Sequence, residues 1–380
     1  MQFANTVLNT PPQETSHRVQ PGMPPLDLSG RTTSFFEFWP MWLMYIPVVL
    51  QWILLAIRYR SLSLPLIANP AISLSGMVGT SKSETFEAAG DKARKWILPW
   101  MAYEVSDADV DMQTTDVLVA LRSSGFDLPI VGKPELGCRG VGVKLLKSES
   151  ELQDYLKSFP SGGGILFQRL SDWHAEAGVF YVRHPGQATG EITSITLKYM
   201  PYVVGDGVST LAELVAQDPR AGELHHLYRN RHADKWQEPV PEGQVFRLIF
   251  AASHSRGAVF RDANHLINKR LVKSLDRIFD DILDFNYGRL DVKFKDIESL
   301  QLGQDFEIIE INGASAESIN IWDRNAGLWD AISTLLRQYR TLFKLGHANR
   351  NQGYTAPGLL ALYKAWRHEN ELVKQYPQND

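Results

Sequence analysis

The stretches GRLDVKF (288–294) and DFEIIEIN (305–312) decide how this sequence is interpreted, because both alternate apolar and polar residues as β-strands do. Residues two apart in a strand point to the same face, so two neighbouring strands would present Asp291, Glu310 and Asn312 together. Three oxygen ligands on one face suit Mg²⁺, which shares such ligands with nucleotide phosphates. The sequence therefore predicts a magnesium site here, with an edge strand carrying solvated acids as the alternative.

A lysine and a run of glycines form a second candidate site earlier in the chain. Lys133 lies on a predicted strand, LPIVGKPE (128–135), and Gly137, Gly140 and Gly142 follow it. A lysine that reaches phosphate, beside a loop whose backbone N–H groups can approach it, is a sound nucleotide-binding arrangement. A glycine loop that merely turns a hairpin is the alternative.

Periodicity and turn residues predict alternating strands and helices around these sites. A helix over residues 268–285 is expected because Leu271, Leu275, Ile278 and Ile282 fall on one helical face. Thr210 and Glu213 have the spacing of a capping box at a helix start. Further strands are predicted over residues 64–72, 96–100, 143–148, 164–170, 178–183 and 193–200, and further helices from about Ser83 and over residues 114–123 and 150–159.

The least usual feature of the composition is an apolar run over residues 35–57, with no charge between residues 38 and 57. Its length would cross a bilayer, but Pro40 and Pro47 argue against an uninterrupted helix. Trp and Tyr side chains in the run suit a membrane–water interface. An in-plane membrane anchor is favoured, and a true span, a core helix pair or a channel for a lipid substrate are the alternatives.

Composition limits the function classes. The formal net charge is −4 and no Arg/Lys stripe is evident, so nucleic acid is not expected as a partner. Cys138 is the only cysteine, which excludes a disulfide framework and fits a reducing compartment. No secretory signal precedes the apolar run. The chain is expected in the cytoplasm, at the cytoplasmic face of a membrane.

Four stretches in a fixed order resemble the ATP-grasp superfamily: VGKPELGCRGVGV, VVGDGVSTLAELV, YGRLDVKF and FEIIEINGAS. The resemblance covers residues 125–340 and is to the carboxylate–amine ligases, in particular D-alanine–D-alanine ligase and the ATP-grasp part of cyanophycin synthetase. It implies an α/β (α+β) ATP-grasp fold. The predicted division is a flexible Pro-rich arm (1–34), an apolar membrane-associated helical segment (35–60), a small N-terminal α/β unit (61–126), the ATP-grasp domain (127–345) and a C-terminal helical tail (346–380).

The resemblance also implies roles for individual residues. Lys133 and Lys198 would contact the ATP phosphates, and the glycine loop would close over them. The strand over residues 165–170 would read adenine, and Glu176 would bind the ribose. Arg289 and Lys198 would stabilise charge during the reaction. The cofactor-binding set is Lys133, Gly137, Gly140, Gly142, Gln168, Arg169, Leu170, Glu176 and Lys198, and the metal set for Mg²⁺ or Mn²⁺ is Asp291, Glu310 and Asn312.

Two departures from the family concern substrate binding. Gln168 and Arg169 stand where the family often has acidic residues, and Gly-Ala-Ser-Ala-Glu follows Asn312 where the family has a threonine and a proline–glycine turn. The predicted function is an ATP-dependent ligase that joins a carboxylate to an amine, either of them lipidic, with His254 or His265 as a candidate base and a homodimer as a possible assembly. An ATP-grasp kinase, or a membrane-attached nucleotide-binding scaffold without turnover, is the alternative.

Overall fold

The computed structural model describes residues 19–377 except 28, 30–32, 38, 138 and 139. Most of the predicted Pro-rich arm and Cys138 therefore lie outside the described residues.

Two antiparallel sheets carry the candidate site residues. The first sheet comprises β1 (Trp100–Glu104), β2 (Ile130–Pro134), β3 (Lys144–Leu146) and β4 (Gly164–Arg169), in the order β1-β4-β2-β3. The second comprises β5 (Ala175–Val182), β6 (Glu191–Tyr199), β9 (Val259–Asp262), β10 (Tyr287–Phe294) and β11 (Phe306–Asn312), in the order β11-β10-β5-β6-β9. A two-stranded ribbon joins β7 (Tyr202–Val204) to β8 (Val245–Arg247).

Helices are spread along the whole described chain. They are α1 (Met41–Tyr59), α2 (Lys82–Glu87), α3 (Asp91–Arg94), α4 (Val110–Ser123), α5 (Glu149–Lys157), α6 (Leu211–Gln217), α7 (His225–Arg231), α8 (Lys269–Phe279), α9 (Ile297–Leu302), α10 (Leu328–Asn351) and α11 (Leu359–Val373). Short 3₁₀ turns lie at Leu64–Ile67, Ser73–Gly76, Gly222–Leu224, His254–Arg256, Asn264–Leu266 and Ile319–Trp322.

Helix α8 covers one face of the second sheet. The other face carries the polar candidate residues, and its Phe180 and Tyr287 pack with Leu342 and Leu345 of α10. The predicted apolar face of α8 is buried and packs against strand residues such as Val179 and Leu290. The helix is shorter than predicted, because it ends at Phe279 and residues 280–285 form a turn. Helices α4 and α5 cover the first sheet in the same way, through Val117, Leu121 and Leu152.

Two predictions on the chain between α1 and β1 need correction. The strand predicted over residues 64–72 is wrong, because Leu64–Ile67 is a 3₁₀ turn whose second residue, Pro65, has no N–H to give to a sheet. The strand predicted over residues 96–100 begins only at Trp100, and Ile97 makes a single bridge to Ile308 of β11. The predicted capping box is confirmed: Thr210 Oγ1 accepts from the Glu213 N–H at 3.2 Å, and Glu213 Oε2 accepts from the Thr210 N–H at 2.8 Å.

Residues 41–57 of the apolar run lie in one continuous helix, α1, which begins only after Pro40, so the interruption expected at Pro47 is wrong. Pro40 precedes the first residue of α1, where a missing N–H costs nothing, and Pro47 removes a single bond in the second turn. One side of α1 packs on α10: the Tyr45, Trp52 and Tyr59 rings lie 5.1–6.1 Å from Tyr339, Phe343 and His347. In the part of the chain that the structure describes, α1 is the one helix long and apolar enough to cross a membrane.

Candidate active site

Strands β10 and β11 place the predicted metal ligands side by side. Asp291 lies opposite Glu310, and Arg289 lies opposite Asn312. Cross-strand partners share a face of the sheet, so these four side chains project from the face that α8 leaves open. The predicted juxtaposition of Asp291, Glu310 and Asn312 on two adjacent strands is therefore present.

Asp291 is buried between two cations. Its Oδ1 accepts from Arg289 Nε at 2.8 Å, and its Oδ2 lies 2.9 Å from Lys198 Nζ. Burial alone would raise the pKa of Asp291, but Arg289 and Lys198 outweigh it and hold that pKa well below its ordinary value. Burial would likewise lower the pKa of Lys198, and Asp291 with Glu176 raises it instead. All of these groups therefore carry full charge at neutral pH.

Glu176 extends this ionic cluster along the sheet. It is buried, with Oε1 3.1 Å from Lys198 Nζ and Oε2 2.7 Å from Lys293 Nζ. Burial would raise the pKa of Glu176, but Lys293 and Lys198 lower it below its ordinary value. The structure thus places this residue, for which the sequence predicted a contact with ribose, where it also orients Lys198.

Lys133 reaches the site from the other sheet. Its Nζ donates to Gln168 Oε1 on β4 at 2.6 Å and to the Ile309 carbonyl on β11 at 3.0 Å. The lysine therefore bridges the two sheets beside Glu310. Burial lowers the pKa of Lys133 to about 8, although the Glu310 carboxylate partly opposes the shift.

The glycine loop lies against the end of β2. Gly140 and Gly142 have φ values of 75° and 71°, which L side chains rarely adopt, and a Cβ on Gly142 would stand 2.6 Å from Pro134 Cγ. Lys82 Nζ donates to the carbonyls of Pro134 and Gly137 at 2.8 and 3.0 Å and so holds the start of the loop. Gly137 also has a positive φ.

The predicted adenine-reading strand is β4, at the edge of the same cleft. Gln168 contacts Lys133, and its Nε2 donates to the Leu98 carbonyl at 3.3 Å. Arg169 pairs with Glu307 of the other sheet, so a basic residue here is neutralised. With Leu170, these residues line the cavity that holds the ionic cluster.

The donor set fits a Mg²⁺ ion bound together with phosphates. Glu310 is half-buried and forms no ion pair with the described residues, and Asn312 Nδ2 is buried without a hydrogen-bond partner among them. Within the described ranges, no group of three His, Cys, Asp or Glu side chains is arranged to hold a metal. Two carboxylates and an amide suit Mg²⁺ because it takes its remaining ligands from water and phosphate oxygens.

A single large cavity encloses these groups and extends past Arg289. Its volume is 1790 Å³, above the range of about 300–1,000 Å³ usual for one small ligand. Its lining includes four aromatic residues, Trp39, Tyr45, Phe260 and Trp322. The cavity therefore has room for a nucleotide at one end and a further substrate at the other.

The two histidines considered as bases lie in different places. His254 lines the cavity, stacks on Trp322 at 4.7 Å and lies 3.2 Å from Glu37 Oε1. His265 is exposed on the turn after β9 and does not line the cavity. Burial would raise the pKa of Glu37, but hydrogen bonds from His254 and Arg220 lower it.

The sequence did not predict several residues of the site, among them Lys293, Lys82, Tyr45 and Glu317. Lys293 follows Arg289 and Asp291 at the two-residue spacing of β10, so the strand pattern could have revealed it. Lys82, Tyr45 and Glu317 come from segments distant in sequence, and only the tertiary structure brings them to the cavity.

Comparisons with known proteins give similarity in structure only. No protein-family model matches this sequence, and no curated protein matches it in a sequence search. Solved structures similar to the chain include a bifunctional glutathione synthetase from Pasteurella multocida, with 14% identity and a TM-score of 0.34 over 70% of this chain and 38% of that one. A D-cycloserine synthetase, DcsG, has 12% identity and a TM-score of 0.35, covering 70% of each chain. The D-alanine-D-alanine ligase from Coxiella burnetii has 11% identity and a TM-score of 0.38, covering 79% of this chain and 64% of that one.

This chain spans 38% of the length of the glutathione synthetase. Its own architecture places two antiparallel sheets on either side of one cleft, with Lys133 on the first and the ionic cluster on the second. That arrangement confirms the predicted fold class, an α/β (α+β) fold.

Proposed function

We propose that this protein binds ATP with Mg²⁺ in the cavity and joins a carboxylate to an amine through an acyl phosphate. One observation carries the proposal: three cations, Lys133, Lys198 and Arg289, converge with the oxygen donors of Asp291 and Glu310 in a single large cavity. Such a set neutralises the charge of a transferring phosphoryl group, where positioning and electrostatics supply most of the rate.

The ion pairs around Asp291 compensate the buried charges of the site in the absence of ATP. Lys198 and Arg289 share this buried carboxylate, so neither cation is left uncompensated before ATP binds. When bound, Mg²⁺ would neutralise the phosphates and be held by Asp291, Glu310 and Asn312. Lys198 and Arg289, which pair with Asp291 in this structure, would then be available to bind phosphate oxygens.

Each remaining element has a role in the reaction. Lys133 and Lys198 bind the phosphates, and Arg289 stabilises the substrate carboxylate as it attacks the γ-phosphate. The amine then attacks the acyl carbon, the C–O bond to phosphate breaks, and phosphate leaves. The glycine loop covers the phosphates, so that water does not hydrolyse the acyl phosphate first.

Product analysis tests the proposal and separates it from the alternatives. Purified protein is given Mg·ATP, hydroxylamine and each acid of a panel of amino acids and fatty acids. A ligase forms ADP, phosphate and a hydroxamate, because hydroxylamine traps the acyl phosphate. A kinase forms ADP and a phosphorylated substrate, and a scaffold binds ATP without turnover. Asp291→Asn should abolish hydroxamate formation, whereas Asp107→Asn, at an exposed position, should not.

We propose further that the enzyme works on the cytoplasmic side of a membrane, with α1 lying in the bilayer surface. The side of α1 turned away from α10 is apolar over its whole length. We call this side the outer face; it consists of Trp42, Ile46, Val49, Leu50, Ile53, Leu54 and Ile57, which are 44–71% exposed. A continuous apolar helix face of about 24 Å is unusual on a protein surface and is typical of interfacial helices.

Basic residues flank the outer face and favour an anionic bilayer as its occupant. Arg58 and Arg60 stand at the end of α1. On α10, the exposed residues Arg337, Arg340 and Lys344 follow one another at helical spacing, beside the side that contacts α1. Each basic residue near an anionic surface contributes about 1 kcal/mol at moderate ionic strength.

Vesicle sedimentation tests this location. The protein should bind phosphatidylcholine vesicles that contain phosphatidylserine, and binding should weaken as salt is raised. Leu50→Glu with Leu54→Glu should release it, whereas Val119→Glu, at an equally exposed apolar position on α4, should not. Failure to bind vesicles would show instead that the outer face is free. Dimerisation that Leu50→Glu abolishes would show that it meets a second copy of the chain.

A further inference from the structure

Glu317 is a cavity carboxylate that forms no salt bridge with a cationic side chain among the described residues. It is half-buried, and its Oε1 accepts a hydrogen bond from the Tyr45 hydroxyl. The fully buried acids of the same cavity are all paired: Asp291 with Arg289, Glu176 with Lys198, and Glu37 with Arg220. An acid left with only a hydroxyl for a partner stabilises a positively charged ligand.

Glu317 stands directly beside the reaction centre. Arg289 Nη1 donates to the Glu317 carbonyl at 3.1 Å, while Nε of the same arginine contacts Asp291. A substrate carboxylate held by Arg289 therefore lies next to Glu317. Glu310, which also lacks an ion pair among the described residues, stands on the opposite side of Arg289 with the metal ligands.

Aromatic rings also line the cavity that contains Glu317. Tyr45 contacts the Glu317 carboxylate itself, and Trp39, Phe260 and Trp322 line the same cavity. His254 stacks on Trp322 with an interplanar angle of 21°. Aromatic faces beside a carboxylate bind an apolar group that ends in an ammonium, because the rings attract the cation as well as the hydrocarbon.

We infer that this end of the cavity is the amine subsite and takes a primary amine with an aromatic or apolar body, whose ammonium lies on Glu317. The inference rests on the proposed ligase function. Glu317 takes one proton from the ammonium, and the freed lone pair forms the C–N bond. The C–O bond to phosphate breaks, and phosphate departs with that electron pair and the second nitrogen proton. The product is a secondary amide.

Binding of phenethylamine tests the subsite without turnover. Tryptophan fluorescence reports the ligand, and 2-phenylethanol is the neutral control ligand. The wild-type protein should bind phenethylamine about tenfold more tightly than the alcohol, because a hydrogen bond to a charged group raises affinity by at least about tenfold. Glu317→Gln should remove the preference, and Glu223→Gln, another acid of the cavity, should keep it. Equal binding of amine and alcohol by the wild-type protein would overturn the inference.

Turnover separates the inference from the proposed function. Hydroxylamine is neutral at neutral pH and needs no ammonium site, so Glu317→Gln should form hydroxamates at the wild-type rate. Its kcat/KM for phenethylamine should fall at least about tenfold. Loss of hydroxamate formation in the variant, or an unchanged kcat/KM, would contradict the inference. If the wild-type protein forms no hydroxamate, the ligase proposal fails, and the binding preference still decides the chemistry of the subsite.

Discussion

Lys133 gives the site a measurable dependence on pH. Burial lowers its pKa to about 8 in the free protein, and phosphate binding requires the charged form. Bound phosphates favour the ammonium, so ATP binding should draw a proton onto Lys133 whenever the lysine is neutral. Affinity for Mg·ATP should therefore be constant below the pKa and fall as pH rises through it.

The size of the effect follows from the pKa. With a pKa of about 8, the charged fraction is about nine-tenths at pH 7 and about one-tenth at pH 9, so the dissociation constant should rise about tenfold between them. Calorimetry in two buffers of different ionisation enthalpy measures both the affinity and the proton uptake. Uptake should approach one proton at the higher pH and almost none at the lower.

Lys133→Arg is the matched control, because a guanidinium stays charged over this range. Its affinity should be independent of pH, whatever its absolute value. A wild-type affinity that is flat between pH 7 and pH 9 would refute the placement of Lys133 in a desolvated phosphate site. An equal slope in Lys133→Arg would show that some other group titrates.

Three further changes test other parts of the structure. Asp291→Asn should lower the free energy of unfolding by about 3–5 kcal/mol, because Arg289 and Lys198 lose their shared counter-charge, and urea denaturation measures the loss. Because the folded protein lowers the pKa of Asp291, the ionised carboxylate stabilises the fold fully at any pH above the ordinary pKa of an aspartate. This stability is lost as pH falls through the lowered pKa, so the difference in free energy of unfolding between the wild-type protein and Asp291→Asn should vanish only in acid. Gly178→Ala should lower kcat more than ATP affinity, since its Cβ would meet Arg289 Cδ at 3.1 Å, and steady-state kinetics would contradict this if kcat were unchanged. Asn69→Ala should cost about 2–4 kcal/mol in the same denaturation assay, because its side chain bonds the backbone of Ser75, Asn286 and Tyr287 in the buried interior, and a loss under about 1 kcal/mol would contradict it.

Much of the half of the cavity that we propose binds ATP could be predicted from local patterns. The two-residue period places Arg289 and Asp291 on one face of β10, and Glu310 and Asn312 on one face of β11. The pairing of the two strands then brings these two pairs together. The glycine loop and Lys133 are adjacent in sequence, so their proximity in space required no tertiary information. The apolar face of α8 was predictable for the same reason, although its end was not.

The substrate half of the cavity could not be predicted, because its residues come from distant segments. Tyr45 belongs to the apolar helix and Glu317 follows β11, and they meet only because α1 packs on α10. The interruption expected at Pro47 was also mispredicted. Whether the loss of one helix hydrogen bond at Pro47 breaks α1 depends on the position of the proline near the helix start and on the packing of α1 against α10. The prediction that residues 35–60 meet a membrane remains a prediction for the vesicle experiment.

The central claim is most directly tested by trapping the activated acid. Wild-type protein, Asp291→Asn and Asp107→Asn are each incubated with Mg·ATP, hydroxylamine and the acid panel, and hydroxamate, ADP and phosphate are quantified. If the protein is a ligase, the wild-type protein and Asp107→Asn should form hydroxamate and ADP in equal amounts. Asp291→Asn should form no hydroxamate. ADP formed with a stable phosphorylated product, or ATP binding with no ADP from any acid, would contradict the claim that this cavity makes an acyl phosphate.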